Sequence, residues 1–331
     1  MKSKTLLLSI GLPVALLAVA LAAAIILGGP GVPPPMPSIN DPFKGVSFAS
    51  LPALSRFTAR DGVPLAYRAY ALNITPARGS VVLMHGSSAS SNSMHPMAQA
   101  FAQAGYAVFA LDIRGHGESG TKGRIAYVGQ LEDDLEDFVN AVSPPRPATL
   151  AGFSAGGGFA MRVAGSPRQR LFQNYLFLSP FIGQDAPTYR PDSGGWVSVG
   201  LPRIVAISLL NGVGVRAFND LPVSRFALNE QAKAFLTPEY TYALLSNFRP
   251  KSDYVQNIKA MELPARVLAG TNDEAFFADR FAEVFRSAGS AIPVTLVPEV
   301  GHIQLTLRAN AIAVAVKAVE AMRLGGVWCA C

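Results

Sequence analysis

Cysteine is nearly missing from this 331-residue chain, which has only 2, Cys329 and Cys331, at its very end. Two cysteines separated by one residue frame no disulfide-stapled fold and have no metal-ligand spacing. Histidine is scarce as well: the 4 present (His85, His95, His116, His302) form no His-x-x-x-His pair, so no metal centre is predicted. Charge is sparse at 15% of residues against 50% hydrophobic, a balance that excludes a disordered chain and predicts a globular one. The formal net charge of +6 comes from scattered Lys and Arg. No basic cluster interleaved with aromatics accompanies it, which excludes nucleic acid as a partner.

One long apolar run is present. After Lys2 and Lys4, "TLLLSIGLPVALLAVALAAAIIL" carries no charge and is long enough as a helix for a bilayer core of about 30 Å. Residues 1–27 are therefore read as an N-terminal transmembrane anchor or signal sequence. The expected localisation is single-pass in a membrane, with the catalytic domain on the non-cytoplasmic side because the two lysines hold the short end in the cytoplasm. Secretion after cleavage is the alternative, since Ala18-Val19-Ala20 and Ala20-Leu21-Ala22 fit a signal-peptidase site. Residues 28–47 are read as a Pro/Gly-rich linker and 325–331 as a C-terminal tail.

From Phe48 onward short apolar runs alternate with helical patterns. "SVVLMHG", "YAVFALD", "ATLAGFS", "NYLFLSP", "ARVLAG" and "VTLVP" are continuously apolar, as strands buried on both faces must be. Before them, Asp61-Gly62 between two β-prone runs predicts a hairpin. The fold class is α/β: a mostly parallel sheet with helices on both faces. Between Pro180 and Leu263 the rhythm stops for far longer than an ordinary connection, so 181–255 is read as an inserted helical cap and 48–180 with 256–324 as the core.

"AGFSAGGGF" places Ser154 where a buried strand ends and a helix begins. Such a turn holds the serine in a strained conformation and leaves no room for bulky residues two positions to either side, hence Gly152 and Gly156. A serine hydroxyl needs a base to attack a carbonyl. With the chain order serine, acid, histidine that goes with a strand-to-helix elbow, His302 is the only histidine on the required side. The acid that fixes its tautomer is Asp273 in "AGTNDEAF", directly after a strand, with its neighbour Glu274 the runner-up; Asp185, Asp192, Asp220 and Asp253 fall in the cap. Two backbone N–H groups are needed for the oxyanion: Ala155, opening the helix, and Ser87, after the third strand in "MHGSSASS".

These residues resemble the α/β-hydrolases, in the branch of monoacylglycerol lipases, lysophospholipases and serine aminopeptidase-like enzymes. "HGSS", "DIRGHGESG", "GFSAGG", "GTNDE" and "VGH" stand in that family's order over about residues 55–323. The resemblance implies Ser154, Asp273 and His302 as triad, Ser87 and Ala155 as oxyanion hole, no cofactor, and a loop-shaping role for Arg114 and His116. Ser-Ser-Ala after His85-Gly86 departs from the lipase pattern, which leaves the substrate open.

The cap segment "WVSVGLPRIVAISLLNGVGVRAF" offers Trp196, Leu201, Ile204, Val205 and Leu209 as an acyl-binding face. Its carboxylates form no cluster to hold a free amino terminus. The sequence thus points to a serine hydrolase of carboxylic esters, with a small-molecule or lipid ester as partner. The alternatives are an aminopeptidase or thioesterase on the same triad, or a catalytically silent binding protein on the same fold.

Overall fold

The computed structural model describes residues 2–36, 41–71, 76–190 and 195–325, with side chains from Leu12 onward. Cys329 and Cys331, with the rest of the tail after residue 325, lie outside the described residues. The strands, in chain order, are β1 (Leu54–Thr58), β2 (Pro64–Tyr70), β3 (Ser80–Met84), β4 (Ala107–Leu111), β5 (Ala148–Phe153), β6 (Asn174–Leu178), β7 (Val197–Val199), β8 (Pro222–Phe226), β9 (Glu239–Thr241), β10 (Ala265–Gly270) and β11 (Val294–Val297). Eight of them form one sheet in the order β1-β2-β4-β3-β5-β6-β10-β11. The β1–β2 hairpin and the β2–β4 pair are antiparallel, and every other neighbour in this sheet is parallel. The Asp61-Gly62 turn joins the hairpin as its sequence predicts.

The helices are α1 (Lys2–Leu27), α2 (His95–Gln103), α3 (Gln130–Val142), α4 (Ala155–Ala164), α5 (Leu201–Gly212), α6 (Glu230–Phe235), α7 (Tyr242–Asn247), α8 (Tyr254–Lys259), α9 (Phe281–Ser287) and α10 (Ala309–Arg323). The strand period of two divides the core between the faces of the sheet. Tyr175 and Phe177 pack with Phe138 of α3, Phe159 of α4 and Phe285 of α9, while Leu176 and Leu178 pack with Phe101 of α2 and Ala315 of α10. Full burial of each large side chain contributes about 1.5–3 kcal/mol, and this two-sided burial is why the strands read as unbroken apolar runs.

The insertion between β6 and β10 differs from an all-helical cap. It carries helices α5 to α8 and a three-stranded antiparallel sheet in the order β7-β8-β9.

The expected single-pass anchor is overturned. Among the described residues no helix is long and apolar enough to cross a membrane, and the inferred placement of a catalytic domain on the non-cytoplasmic side falls with it. α1 packs against α5 of the cap. Its last turn is committed to the cap: Arg203 of α5 donates from Nε to the Ile25 carbonyl at 2.7 Å and from Nη2 to the Ile26 carbonyl at 3.1 Å, and Ile25 is buried.

Candidate active site

Ser154, Asp273 and His302 follow the C-terminal ends of β5, β10 and β11, the edge where open α/β sheets hold their ligands. Ser154 sits between β5 and α4 at φ 54° and ψ −119°, a left-handed conformation that a non-glycine residue adopts only under constraint. The constraint is visible in its neighbours. A Cβ on Gly152 would lie 2.2 Å from the Gly156 carbonyl oxygen, and one on Gly156 would lie 2.3 Å from that of His85. Both glycines are therefore required by close backbone approach rather than by flexibility.

The structure brings the three side chains together. His302 Nε2 lies 3.0 Å from Ser154 Oγ, and His302 Nδ1 lies 2.9 Å from Asp273 Oδ2. All three residues are buried, and the Phe153 and Phe276 rings stand 4.7 and 5.1 Å from the imidazole. Asp273 Oδ1 accepts hydrogen bonds from the N–H groups of Ala275 and Phe276, each at 2.9 Å. Burial pushes the Asp273 carboxyl up, but the electrostatic pull of the neighbouring His302 and the hydrogen bonds from His302 and from the Phe276 N–H outweigh it and leave the carboxyl below its usual value. An ionised Asp273 accepts only, so Nδ1 carries the proton and Nε2 is free to accept from the serine. Glu274 does not touch the imidazole; its Oε2 accepts the backbone N–H of His302 at 2.8 Å.

Ala155 opens α4, so its N–H has no acceptor within the helix. Ser87 follows Gly86, where a Cβ would lie 3.2 Å from Ser154 Cβ. The loop holding Ser87 is tied down by a network that sequence reasoning missed. Tyr240 of β9 accepts the Ser88 N–H at 2.5 Å and donates to His116 Nε2 at 2.6 Å, while His85 Nδ1 donates to the Gly86 carbonyl at 2.7 Å. Burial, the main cause, pushes both histidines below their ordinary value. Arg114 binds Asp134 with two bonds of 2.7 Å, so both residues of the "RGHG" run hold a loop, away from the triad.

Two cavities open on Ser154. The larger, about 310 Å³, is lined by Phe43, Phe48, Trp196, Phe235, Leu236 and Ile303 together with serines of the "SSASS" loop. The smaller, about 90 Å³, includes Ala155, Phe181, Ser224, Arg249 and Phe276. Ser87, Ser154 and Trp196 line both. Of the five residues expected on an acyl-binding face, only Trp196 lines these two cavities. Leu201, Val205 and Leu209 are exposed, and with Ile204 they lie outside both linings because α5 turns its inner side to α1 and β8 rather than to the site. Phe43, from the segment read as a linker, was missed; an aromatic isolated among Pro and Gly was its only signal.

Residues 75–305 match the family described as serine aminopeptidase, S33. A monoacylglycerol lipase of Mycolicibacterium smegmatis is 38% identical over 108 residues, which cover 31% of this chain and 38% of that protein. The match thus spans less than half of that relative's length. Among solved structures, a soluble variant of monoglyceride lipase from Saccharomyces cerevisiae, in complex with a substrate analog, superposes with a TM-score of 0.63 at 18% identity over 84% of this chain and 96% of that one. A Paleococcus ferrophilus monoacylglycerol lipase does so with a TM-score of 0.58 at 16% identity over 78% and 98%. At such identities these two likenesses speak for the fold. The family match covers well over half of the chain, which belongs to the serine aminopeptidase, S33 family of α/β-hydrolases.

Proposed function

We propose that this protein is a serine hydrolase that cleaves carboxylic esters with one long acyl chain, of the monoacylglycerol or lysophospholipid kind, through an acyl-enzyme. The observation that carries the proposal is the Ser154–His302–Asp273 hydrogen-bond chain opening directly onto a largely apolar cavity of about 310 Å³. His302 Nε2 takes the Ser154 proton as Oγ attacks the ester carbonyl, and Asp273 stabilises the imidazolium. The oxyanion is received by the N–H groups of Ser87 and Ala155, each such donor contributing about 2.7–4 kcal/mol to transition-state stabilisation. His302 then protonates the departing alcohol, and a water activated by the same imidazole releases the acid.

An ester is favoured over a peptide by the lining of the site. No aspartate or glutamate borders either cavity among the described residues, so nothing there is placed to hold a free α-amino group. The catalytically silent reading is disfavoured by the strained φ of Ser154, a cost kept where the geometry is used.

Stopped-flow hydrolysis of p-nitrophenyl decanoate tests the proposal. An initial burst of p-nitrophenol equal to the enzyme concentration, absent in Ser154→Ala, is expected. Steady turnover surviving in Ser154→Ala refutes it.

A further inference from the structure

The two cavities at Ser154 differ in one respect that the proposed chemistry leaves unused: the smaller contains a cation without a counter-ion. Arg249 lies just beyond α7 and lines that cavity with Ser87, Ser154 and Ala155. Its guanidinium carbon stands 5.5 Å from the centre of the Phe181 ring. Among the described residues it makes no hydrogen bond and no ion pair. Two buried or nearly buried guanidiniums are, by contrast, closely paired: Arg114 with Asp134 and Asp61, and Arg162 with Glu132. Around Arg249, burial comes first in pressing the cation below its ordinary value and Arg162 adds to it, while Asp185 pulls the other way from an exposed position without touching it. Ser224, which also borders this cavity, has a fully buried hydroxyl without a hydrogen-bond partner.

An unpaired, partly desolvated guanidinium is costly, and its planar fork of donors matches the oxygens of a phosphate or carboxylate. The geometry of the reaction says where such an anion comes from. The scissile carbonyl sits at Ser154, where the cavities meet, so an ester that lays its apolar chain in the larger cavity sends its other substituent into the smaller. At about 90 Å³ against about 310 Å³ for its neighbour, the smaller cavity suits a compact polar group rather than a second long chain.

We propose that Arg249 binds an oxyanion carried by the alcohol part of the substrate, so that the preferred substrates are single-chain esters with a phosphate on the head group rather than neutral acylglycerols. This rests on the ester-hydrolase reading above.

The test uses the full chain with three esters of one acyl length: 1-decanoylglycerol, 1-decanoylglycerol 3-phosphate and p-nitrophenyl decanoate. The wild type is expected to favour the phosphate ester over the neutral glyceride in kcat/KM by at least about tenfold, the low end for hydrogen bonds to charged groups. Arg249→Met is expected to abolish that ratio mainly by raising KM for the phosphate ester, and Arg249→Lys to keep part of it, having the charge without the fork. Inorganic phosphate should compete with p-nitrophenyl decanoate in the wild type and do so much less in Arg249→Met.

Equal kcat/KM for the phosphate and neutral glycerides in the wild type overturns the proposal. So does an equal loss on all three esters in both Arg249 variants, which marks a purely packing role against Phe181. Inhibition by inorganic phosphate without preference for the phosphate ester also overturns it, leaving a cavity for a free anion only. If the wild type hydrolyses none of the three, the ester-hydrolase reading itself fails, a result distinct from all of these.

Discussion

Gly156→Ala probes how the backbone sets the reaction geometry. Gly156 lies in the first turn of α4, and an added Cβ would stand 2.3 Å from the His85 carbonyl oxygen and 2.9 Å from that of Met84. Both oxygens belong to the end of β3 and the loop that carries Ser87, and neither is the tip of a movable side chain. To restore ordinary contact, α4 and the β3 loop must separate by roughly 0.7–1.1 Å, because a close-packed interior offers no slack. Ala155 N–H rides on one of these elements and Ser87 N–H on the other, so the strain spreads the two proposed oxyanion donors apart and shifts Ser154 from His302. A misplacement near 1 Å costs about a hundredfold in rate, comparable to losing one oxyanion donor, and overpacking of this kind destabilises by about 1–3 kcal/mol. Hydrolysis of p-nitrophenyl butyrate should therefore show kcat down about 10²-fold with KM much less affected, and thermal unfolding should shift down by several degrees. Gly212→Ala is the control: it ends α5 with nothing within 4 Å of the added carbon, so kcat should hold and stability should rise by up to about 1 kcal/mol. Normal kcat and unchanged unfolding in Gly156→Ala refute this reasoning.

Four further outcomes follow from the same contacts. Asp273→Asn should lower kcat by about 10³–10⁴-fold, since an amide in its place presents the wrong tautomer partner to Nδ1, whereas Glu274→Gln, which touches only the His302 backbone, should lose far less; the reverse ranking in steady-state rates moves the role to Glu274. Ala232→Phe, placed in the larger cavity, should reduce the ratio of kcat/KM for dodecanoyl over butyryl esters by at least about tenfold, and an unchanged chain-length profile removes that cavity as the acyl site. His85 and His116 are neutral in the fold and held below 6.5 mainly by burial, so below pH 6.5 the unfolded chain binds protons that the native state refuses; stability is full above that pH and falls as pH drops, by about 1.4 kcal/mol per unit for each histidine still neutral. Thermal unfolding from pH 7.5 to 5.0 checks the sign, and a rise in stability on acidification contradicts it. Arg114→Met strands the buried Asp134 and should cost about 3–5 kcal/mol, read from urea denaturation.

The meeting of Ser154, Asp273 and His302 was the most legible part of the candidate site, and its walls the least. Ser154, Asp273 and His302 stand in short, chemically constrained stretches next to apolar runs, and these stretches fix where each side chain emerges from the sheet. Strand runs buried on both faces also announce a parallel sheet, although their spatial order, with β4 outside β3 and β10 beside β6, depends on crossovers that leave no local mark. The cavity walls come from distant elements: Phe43 before the sheet, Phe235 and Leu236 at the end of α6, and Arg249 after α7. Nothing local told Leu201, Val205 and Leu209 from inward-facing residues, because α5 is apolar around much of its circumference and only its neighbours choose the buried side. The uncharged run at the N-terminus was misleading for a similar reason: hydropathy records composition, and the docking of the last turn of α1 on Arg203 depends on a residue far away in sequence.

The central claim is that Ser154 forms a covalent acyl intermediate activated by His302. A fluorophosphonate ester, which a serine hydrolase takes up on its nucleophile, followed by peptide mass mapping, tests this most directly. The expected result is one phosphonyl group per chain, attached to Ser154, with labelling slowed by orders of magnitude in His302→Ala and absent in Ser154→Ala. An adduct on another residue, or rapid labelling that persists in Ser154→Ala, contradicts it.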